Sequence, residues 1–362
     1  MGFVIFYMIM GMLLPFALSK KNKVNDNRIS FLGYKWTFPI IFSLIIIIII
    51  RAFAYDTATD YLVYYNNYLY NGNTYWGENR ELGYKILNSL LYNISTSPQL
   101  FFGFSAFIYM YSVLMVSQLF GKADKWIVYF WSIILFVLSY NLYRQYYSLS
   151  FILLAYYWFF KKSYIKVSVF CVLAVLFHTS AIIGIAIIGS IYLLKNRNIN
   201  RNYLLIAMIL TSVFSSTILS SFLNSFSFIS DWYIQETGKS YTTEYMLDTM
   251  YDRSVLVYPS MIVYLILIWY GDKMVKEIPV YRFLFYLFSF AVIINPITNQ
   301  EILMRIRLYV DIFIPLFLGV LAYRYKKVYQ YPMLWIAFIF LITKFAYGLY
   351  HLGSVHPLQF KF

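Results

Sequence analysis

The sequence predicts an all-α polytopic integral membrane protein, and two observations support this fold class. Hydrophobic residues make up 61% of the 362 residues and charged residues only 12%, and the mean hydropathy is +0.65. These values are typical of membrane proteins and lie outside the range of water-soluble domains. Apolar stretches close to the length that a helix needs to cross hydrocarbon also recur along the chain. We therefore expect a single membrane domain over residues 1–362.

About twelve apolar stretches are candidates for transmembrane helices. The first has no basic region before it and no small-residue cleavage site after it, so we interpret it as a retained helix rather than a signal peptide. The stretches are 2–18, 36–53, 99–119, 125–141, 145–160, 165–177, 179–194, 202–221, 254–270, 281–295, 303–322 and 332–351.

The charge distribution predicts how these helices are oriented. Most of the 29 Lys and Arg lie in short loops after the odd-numbered stretches, and most acidic residues lie on the other side. This alternation follows the positive-inside rule and places both termini outside the cytoplasm. A basic excess confined to such loops does not indicate binding to nucleic acid.

One alternative would invert the later part of this topology. Residues 167–194 are long enough to form a single tilted helix, which would move every later loop to the opposite side. We favour a break at His178-Thr179-Ser180, with Ser180 as the cap of the next helix.

Two polar segments on the predicted outer side are long enough to carry function, residues 54–98 and 222–253. The second is rich in Tyr, Ser and acidic residues. The first is predicted to contain a short helix that begins near Glu81 and lies in the membrane interface. The apolar residues on one face of this helix are Leu82, Ile86, Leu87, Leu90 and Leu91.

Polar residues cluster on the predicted outer side, around the stretch 139–146 and its Arg144. An Arg at the edge of hydrocarbon is costly, so Arg144 is either a functional residue or a side chain that reaches out to water. Arg307 and Asp311 are four residues apart and are predicted to pair on one helix, which leaves Arg305 as the better candidate for a ligand. The other candidates on this side are Arg51, Asp56, Asp60, Glu81, Asn141, Gln145, His178 and Glu301.

This residue set suggests that the protein recognises phosphate or pyrophosphate without a metal or cofactor. The sequence has no P-loop and no DxD pair. Its single cysteine, Cys171, excludes a disulfide framework and a thiolate metal site, and its three His lack zinc-ligand spacing. Arg offers a planar fork for phosphate oxygens and would stabilise the charge on a departing pyrophosphate.

Transfer of a sugar from such a donor also needs a base for the attacking hydroxyl, and the candidates are Asp60, Glu81 and His178. Each has a structural alternative. Asp60 would cap a local turn, Glu81 would stabilise the first turn of its helix, and His178 would be a hydrogen-bonded structural histidine.

At these residues the sequence resembles the EpsG-like branch of the Wzy-type polysaccharide polymerases of bacterial inner membranes. The matching pieces are short, occur in the family's order and cover about residues 50–310. They are Arg51; Thr59-Asp60-Tyr61 with Tyr64; Glu81-Leu82-Gly83-Tyr84 with Leu87 and Asn88; Asn141 with Arg144-Gln145; Phe177-His178-Thr179-Ser180-Ala181; and Arg305 or Arg307 before Tyr309.

The resemblance implies a helical fold related to the GT-C glycosyltransferases and a polymerase acting at the outer, periplasmic face of the inner membrane. A glycan linked to undecaprenyl pyrophosphate is transferred to the next lipid-linked repeat unit, and a chain-length regulator is an expected partner besides membrane lipids. The pyrophosphate-binding residues implied are Arg51, Arg144, Gln145, Arg305 and Arg307, and the catalytic ones are Asp60, Glu81, His178 and Arg144.

Two other functions remain alternatives at the level of the sequence. An O-antigen ligase of the same fold type would make a single transfer to lipid A and leave polymer length unchanged. A flippase for lipid-linked oligosaccharides would need cations across the depth of the membrane, whereas the charges here lie near one side.

Overall fold

The structure is a computed structural model of the chain. It describes residues 12–19, 29–31, 34–58, 60–70, 81–136, 139, 141–194, 197–215, 217–218, 220–221, 257–278, 281–297, 301–351 and 359–360. These residues are almost all helical, as predicted. The second predicted outer loop, 222–253, lies outside the described residues, as does 2–11 of the first predicted span.

The described residues form two compact units. Unit 1 comprises those within Met1–Gly189, Pro315–Lys326 and Ile342–Phe362, and unit 2 those within Ser190–Ile314 and Lys327–Leu341. The expectation of one membrane domain over the whole chain stays a prediction.

Unit 1 contains the first nine helices and two short pairs of strands. The helices are α1 (12–19), α2 (Phe38–Phe53), α3 (Tyr61–Leu69), α4 (Leu82–Ile94), α5 (Pro98–Ser117), α6 (Asp124–Trp131), α7 (Tyr143–Phe160), α8 (Tyr164–Phe177) and most of α9 (Ala181–Leu194). The strands β1 (Ile29–Phe31) and β2 (Tyr34–Trp36) pair antiparallel, as do β3 (Ala54–Tyr55) and β4 (Gln359–Phe360).

Unit 2 is built around α10 (Arg201–Val213), α11 (Val257–Glu277), α12 (Arg282–Ile294) and α13 (Glu301–Asp311). Helix α12 packs against the other three. Two further helices are α14 (Ile314–Arg324), which belongs to unit 1 from Pro315 onward, and α15 (Pro332–His351), which is divided between the units.

The described part of each predicted apolar stretch is largely helical, but the number of helices that cross a membrane stays a prediction. Within the described residues, two helical segments are long and apolar enough to cross by length and composition, Pro98–Leu135 and Arg305–Arg324. Most of the other apolar helices have 10–17 residues. The relation to GT-C folds and the outer position of both termini also stay predictions.

Several predicted boundaries are marked by local backbone signals. Pro98 and Pro332 begin α5 and α15, where a missing amide hydrogen is harmless. Gly121 has φ +55 and separates α5 from α6. Helix α8 ends at Phe177 and α9 begins at Ala181, so the predicted break at residues 178–180 is confirmed and the single long helix is wrong.

The core of unit 1 is a set of closely packed helices in which α5 contacts α2 and α7, and α7 contacts α8. Small residues permit this packing. A Cβ on Gly103 of α5 would lie 3.3 Å from Ile48 Cγ2 of α2, and one on Gly319 of α14 would lie 2.5 Å from the backbone nitrogen of Ile127 in α6. Removing these glycines would therefore push neighbouring helices apart.

Candidate functional site

Three polar contacts join distant parts of unit 1 at one end of its helices. They connect Arg51 with Ser139, Asp60 with Asn141, and Glu81 with Arg144. The partners are 88, 81 and 63 residues apart in the chain. We call these six residues the polar cluster. It brings together four of the residues that the sequence predicts for the site, Arg51, Asp60, Glu81 and Arg144.

The ion pair between Arg144 and Glu81 is the centre of the polar cluster. Nη1 of Arg144 lies 2.5 Å from Oε2 of Glu81, and the two side chains are 21% and 14% exposed. Arg144 also hydrogen-bonds the Tyr64 side chain. Arg144 lies in the first turn of α7, where the helix dipole adds positive potential. The site thus presents a partly accessible guanidinium at a helix N-terminus, an arrangement suited to an anion.

Arg51 is the most deeply buried charge of the polar cluster. It lies in the last turn of α2 and is 1% exposed. One guanidinium nitrogen donates to the Ser139 carbonyl at 3.0 Å, and the guanidinium carbon lies 4.7 Å from the centre of the Tyr143 ring. Arg51 thereby holds the segment that precedes α7 and the residue next to Arg144, and its role in binding pyrophosphate stays a prediction.

Asp60 and Glu81 both sit where a capping residue would, before α3 and α4 respectively. Neither side chain caps its helix with a hydrogen bond, and the capping of a local turn by Asp60 stays an alternative. The backbone nitrogen of Asp60 donates to the Asn141 side chain at 2.9 Å. Asn141 therefore fixes the backbone that carries the Asp60 carboxylate.

Gly83 explains how the start of α4 reaches the polar cluster. A Cβ there would lie 2.8 Å from both the Leu176 carbonyl oxygen and the Phe177 ring. Only a glycine lets α4 approach the end of α8 this closely. His178 follows immediately, half-buried, with Nδ1 at 2.9 Å from the Ser180 hydroxyl. The structural alternative for His178 therefore stays open.

Aromatic rings from α3, α5 and α7 pack next to the polar cluster. The Tyr61 ring stacks on Phe102 at 4.6 Å, Phe102 lies 5.2 Å from Tyr143, and Tyr64 lies 4.9 Å from Tyr143. Burial raises the pKa of the Tyr61 phenol above its usual value, although nearby Arg51 acts in the opposite direction. These neutral rings lower the local polarity and strengthen the charge interactions of the cluster.

The other two predicted arginines belong to unit 2. Arg307 donates from Nε to Asp311 at 2.8 Å and from Nη1 to the Asn295 side chain, so the predicted pair with Asp311 is confirmed. Arg305 lies two residues earlier on α13 and is half-buried. The roles of both in binding a substrate stay predictions.

The remaining predicted features are distributed as follows. Gln145 is buried inside unit 1, next to Arg144. Among the described residues, no three His, Cys, Asp or Glu side chains gather as a metal site would require. Sequence reasoning missed the contact roles of Ser139 and Tyr143. The polar break beside Arg144 was their only signal, since a backbone acceptor and a ring under a guanidinium leave no spacing pattern.

One comparison with known proteins identifies a family for this chain. The sequence profile of the EpsG family matches residues 35–361, nearly the whole chain. Neither the curated proteins nor the solved structures gave a match. The matched region contains every residue of the polar cluster as well as Arg305 and Arg307. The resemblance found in the sequence is thus confirmed, and the chain belongs to the EpsG family of membrane polysaccharide polymerases.

Proposed function

We propose that the protein polymerises oligosaccharide repeat units linked to undecaprenyl pyrophosphate, at the outer face of the bacterial inner membrane. The observation that carries this proposal is the Arg144–Glu81 pair at the N-terminus of α7. It supplies a cation for a diphosphate and a carboxylate for an acceptor hydroxyl within one cluster.

The reaction that fits these groups is a glycosyl transfer with pyrophosphate as leaving group. The acceptor hydroxyl forms a bond to the anomeric carbon while that carbon's bond to the pyrophosphate oxygen breaks. The hydroxyl proton passes to a base, and undecaprenyl pyrophosphate leaves with the bonding electron pair. Arg144 and the N-terminal amides of α7 stabilise the charge that grows on the leaving oxygen.

Glu81 takes part both in the binding of the pyrophosphate and in the activation of the acceptor. In the unliganded protein its carboxylate neutralises Arg144. A pyrophosphate that takes over the guanidinium releases the carboxylate beside the reacting centre, where it orients or deprotonates the acceptor. Asp60 and His178 remain alternative bases. Asp60 belongs to the polar cluster, and His178 follows Phe177, which lies against Gly83 in the first turn of α4.

Three further parts of the proposal rest on the family resemblance and the sequence. They are the contribution of Arg305 or Arg307 to pyrophosphate binding, the assembly of the protein with a chain-length regulator, and the periplasmic orientation of the site. For Arg307 the two existing hydrogen bonds favour a structural contribution instead.

The test replaces the native protein in cells by variants of Arg144. It measures the amount and length of the polymer and the amount of lipid-linked intermediates on each leaflet. We expect Arg144→Ala to abolish polymer and leave lipid-linked single units exposed on the outer leaflet. Arg144→Lys is expected to be poor as well, because Lys lacks the bidentate fork. The matched control is Arg201→Lys, since Arg201 also pairs with a carboxylate, that of Asp272, and has a similarly exposed side chain.

Other outcomes identify the competing functions. Normal polymer length in the Arg144→Ala strain would remove Arg144 from the site. Single units trapped on the inner leaflet after deletion of the protein would indicate a flippase. Loss of transfer to lipid A with unchanged polymer length would indicate a ligase.

A further inference from the structure

Helix α4 exposes a row of large aliphatic side chains, beside the exposed polar residues Lys85, Ser89 and Asn93. Four large side chains along one edge, at intervals of four residues, are 49–75% exposed. We call them the α4 ridge: Leu82, Ile86, Leu90 and Ile94. On the opposite face Tyr84 and Asn88 are buried, and the Tyr84 hydroxyl accepts a hydrogen bond from Asn67. A helix of this kind directs its ridge toward hydrocarbon rather than water.

The α4 ridge begins at the polar cluster. Leu82 directly follows Glu81, whose carboxylate holds Arg144. The contact of Gly83 with the end of α8 keeps this first turn in place. From Leu82 to Ile94 the ridge extends for about 18 Å at 1.5 Å per residue. A cation site and an exposed apolar track therefore meet end to end.

The exposed apolar faces of α2 and α8 lack this continuity with the polar cluster. On α2 the exposed face ends at Ile49, but Ile49 and the buried Arg51 are two residues apart and point to opposite sides of their helix. On α8 the exposed residues Ile165, Val169 and Val172 lie in the part of the helix away from His178. These two faces have the exposure of ordinary lipid-facing surfaces, and neither begins or ends at the polar cluster.

We infer that the α4 ridge binds the polyprenyl chain of the lipid-linked donor while its pyrophosphate is held at Arg144. This inference rests on the proposed function. Pyrophosphate and polyprenyl chain are covalently joined, so the surface that receives the chain must begin where the headgroup is bound. The α4 ridge meets that condition and offers branched aliphatic side chains to an isoprenoid. It makes α4 a determinant of lipid-carrier recognition.

The kinetic test compares donors with a long and a short prenyl chain, using purified full-length protein in lipid nanodiscs. We expect the wild type to prefer the long-chain donor in kcat/KM. The ridge variant Ile86→Ala with Leu90→Ala is expected to lose about tenfold of this preference, on the scale of two methylene groups taken out of contact. The control, Ile165→Ala with Val169→Ala on α8, should keep the preference.

A second measurement uses the wild type alone. A polyprenyl pyrophosphate that carries a photoreactive group on its chain is expected to label α4 and not the exposed face of α8. Labelling of both helices to the same extent, or equal loss of preference in the two double variants, would overturn the inference. If the wild type forms no polymer from any donor, the proposed function fails, whereas the labelling result still decides the role of the α4 ridge.

Discussion

Replacing Glu81 by Gln should make the protein bind inorganic pyrophosphate more tightly. The substitution keeps the shape of the side chain and removes the charge that holds Arg144. Exposed ion pairs are worth about 0–1 kcal/mol, and removing one partner of a buried pair costs about 3–5 kcal/mol. Because both side chains of this pair are only partly exposed, we expect its contribution to be about 2 kcal/mol.

A ligand that binds the Arg144 guanidinium must first displace the Glu81 carboxylate. The free energy of the ion pair is therefore subtracted from the binding free energy of the ligand. At about 2 kcal/mol this corresponds to a factor of about 30 in affinity. Glu81→Gln is thus expected to bind pyrophosphate about 30-fold more tightly than the wild type, and to unfold more easily by about 2 kcal/mol. Polymer formation should fall at the same time.

Isothermal titration calorimetry of the detergent-solubilised protein measures the affinity, and thermal unfolding of the same samples measures the stability. Asp272→Asn is the control, because Asp272 pairs with Arg201 in unit 2. It should leave the affinity for pyrophosphate unchanged. Adding Arg144→Gln to Glu81→Gln should abolish the gain. Unchanged or weaker binding by Glu81→Gln would refute the idea that this carboxylate competes with the ligand.

Three further substitutions test the contacts that support the site. Gly83→Ala should destabilise the protein by about 1–3 kcal/mol through the clash of α4 with α8. The control Gly189→Ala should not, because the space around its Cβ position is open. Thermal unfolding measures both variants, and equal effects would contradict the close approach of α4 to α8. Asn141→Ala should cost about 1 kcal/mol by removing the acceptor for the Asp60 amide, with Asn141→Asp as the variant that keeps an acceptor. Asp311→Asn should lower stability by removing a charge partner inside a predicted span while leaving calorimetric pyrophosphate affinity within twofold of the wild type.

The features that could be predicted from the sequence are those that depend on residues close together in the chain. Apolar stretches and their interruptions located the helices, and residues 178–180 were correctly identified as a break. The pair of Arg307 with Asp311 followed from four-residue spacing on one helix. The helix that begins after Glu81 was also correct, but its five predicted apolar residues do not share one environment, since Leu91 is buried whereas Leu82 is exposed.

The contacts that build the site join residues far apart in the chain, and this is why their pairing could not be predicted from the sequence. Glu81 and Arg144 are 63 residues apart, and several acidic residues on the predicted outer side were equally plausible partners. Which one meets Arg144 depends on how closely α4 approaches α8, and hence on the absence of a side chain at Gly83. A single sequence marks Gly83 as a glycine but does not say which helix it faces.

Two of the arginine–carboxylate pairs among the described residues differ in what their geometry permits. Arg307 and Asp311 stand on one helix, and Arg307 also donates to Asn295, so an incoming anion would have to replace two acceptors that the fold keeps in place. Glu81 and Arg144 stand on different helices, each in or next to a first turn, where an anion also gains from the helix dipole. A diphosphate that enters there replaces one carboxylate by a more highly charged acceptor. In the reaction proposed above, the same exchange frees a carboxylate for the acceptor hydroxyl. The pair between α4 and α7 therefore has the properties of an exchangeable contact, in which binding of the donor prepares the protein for the transfer.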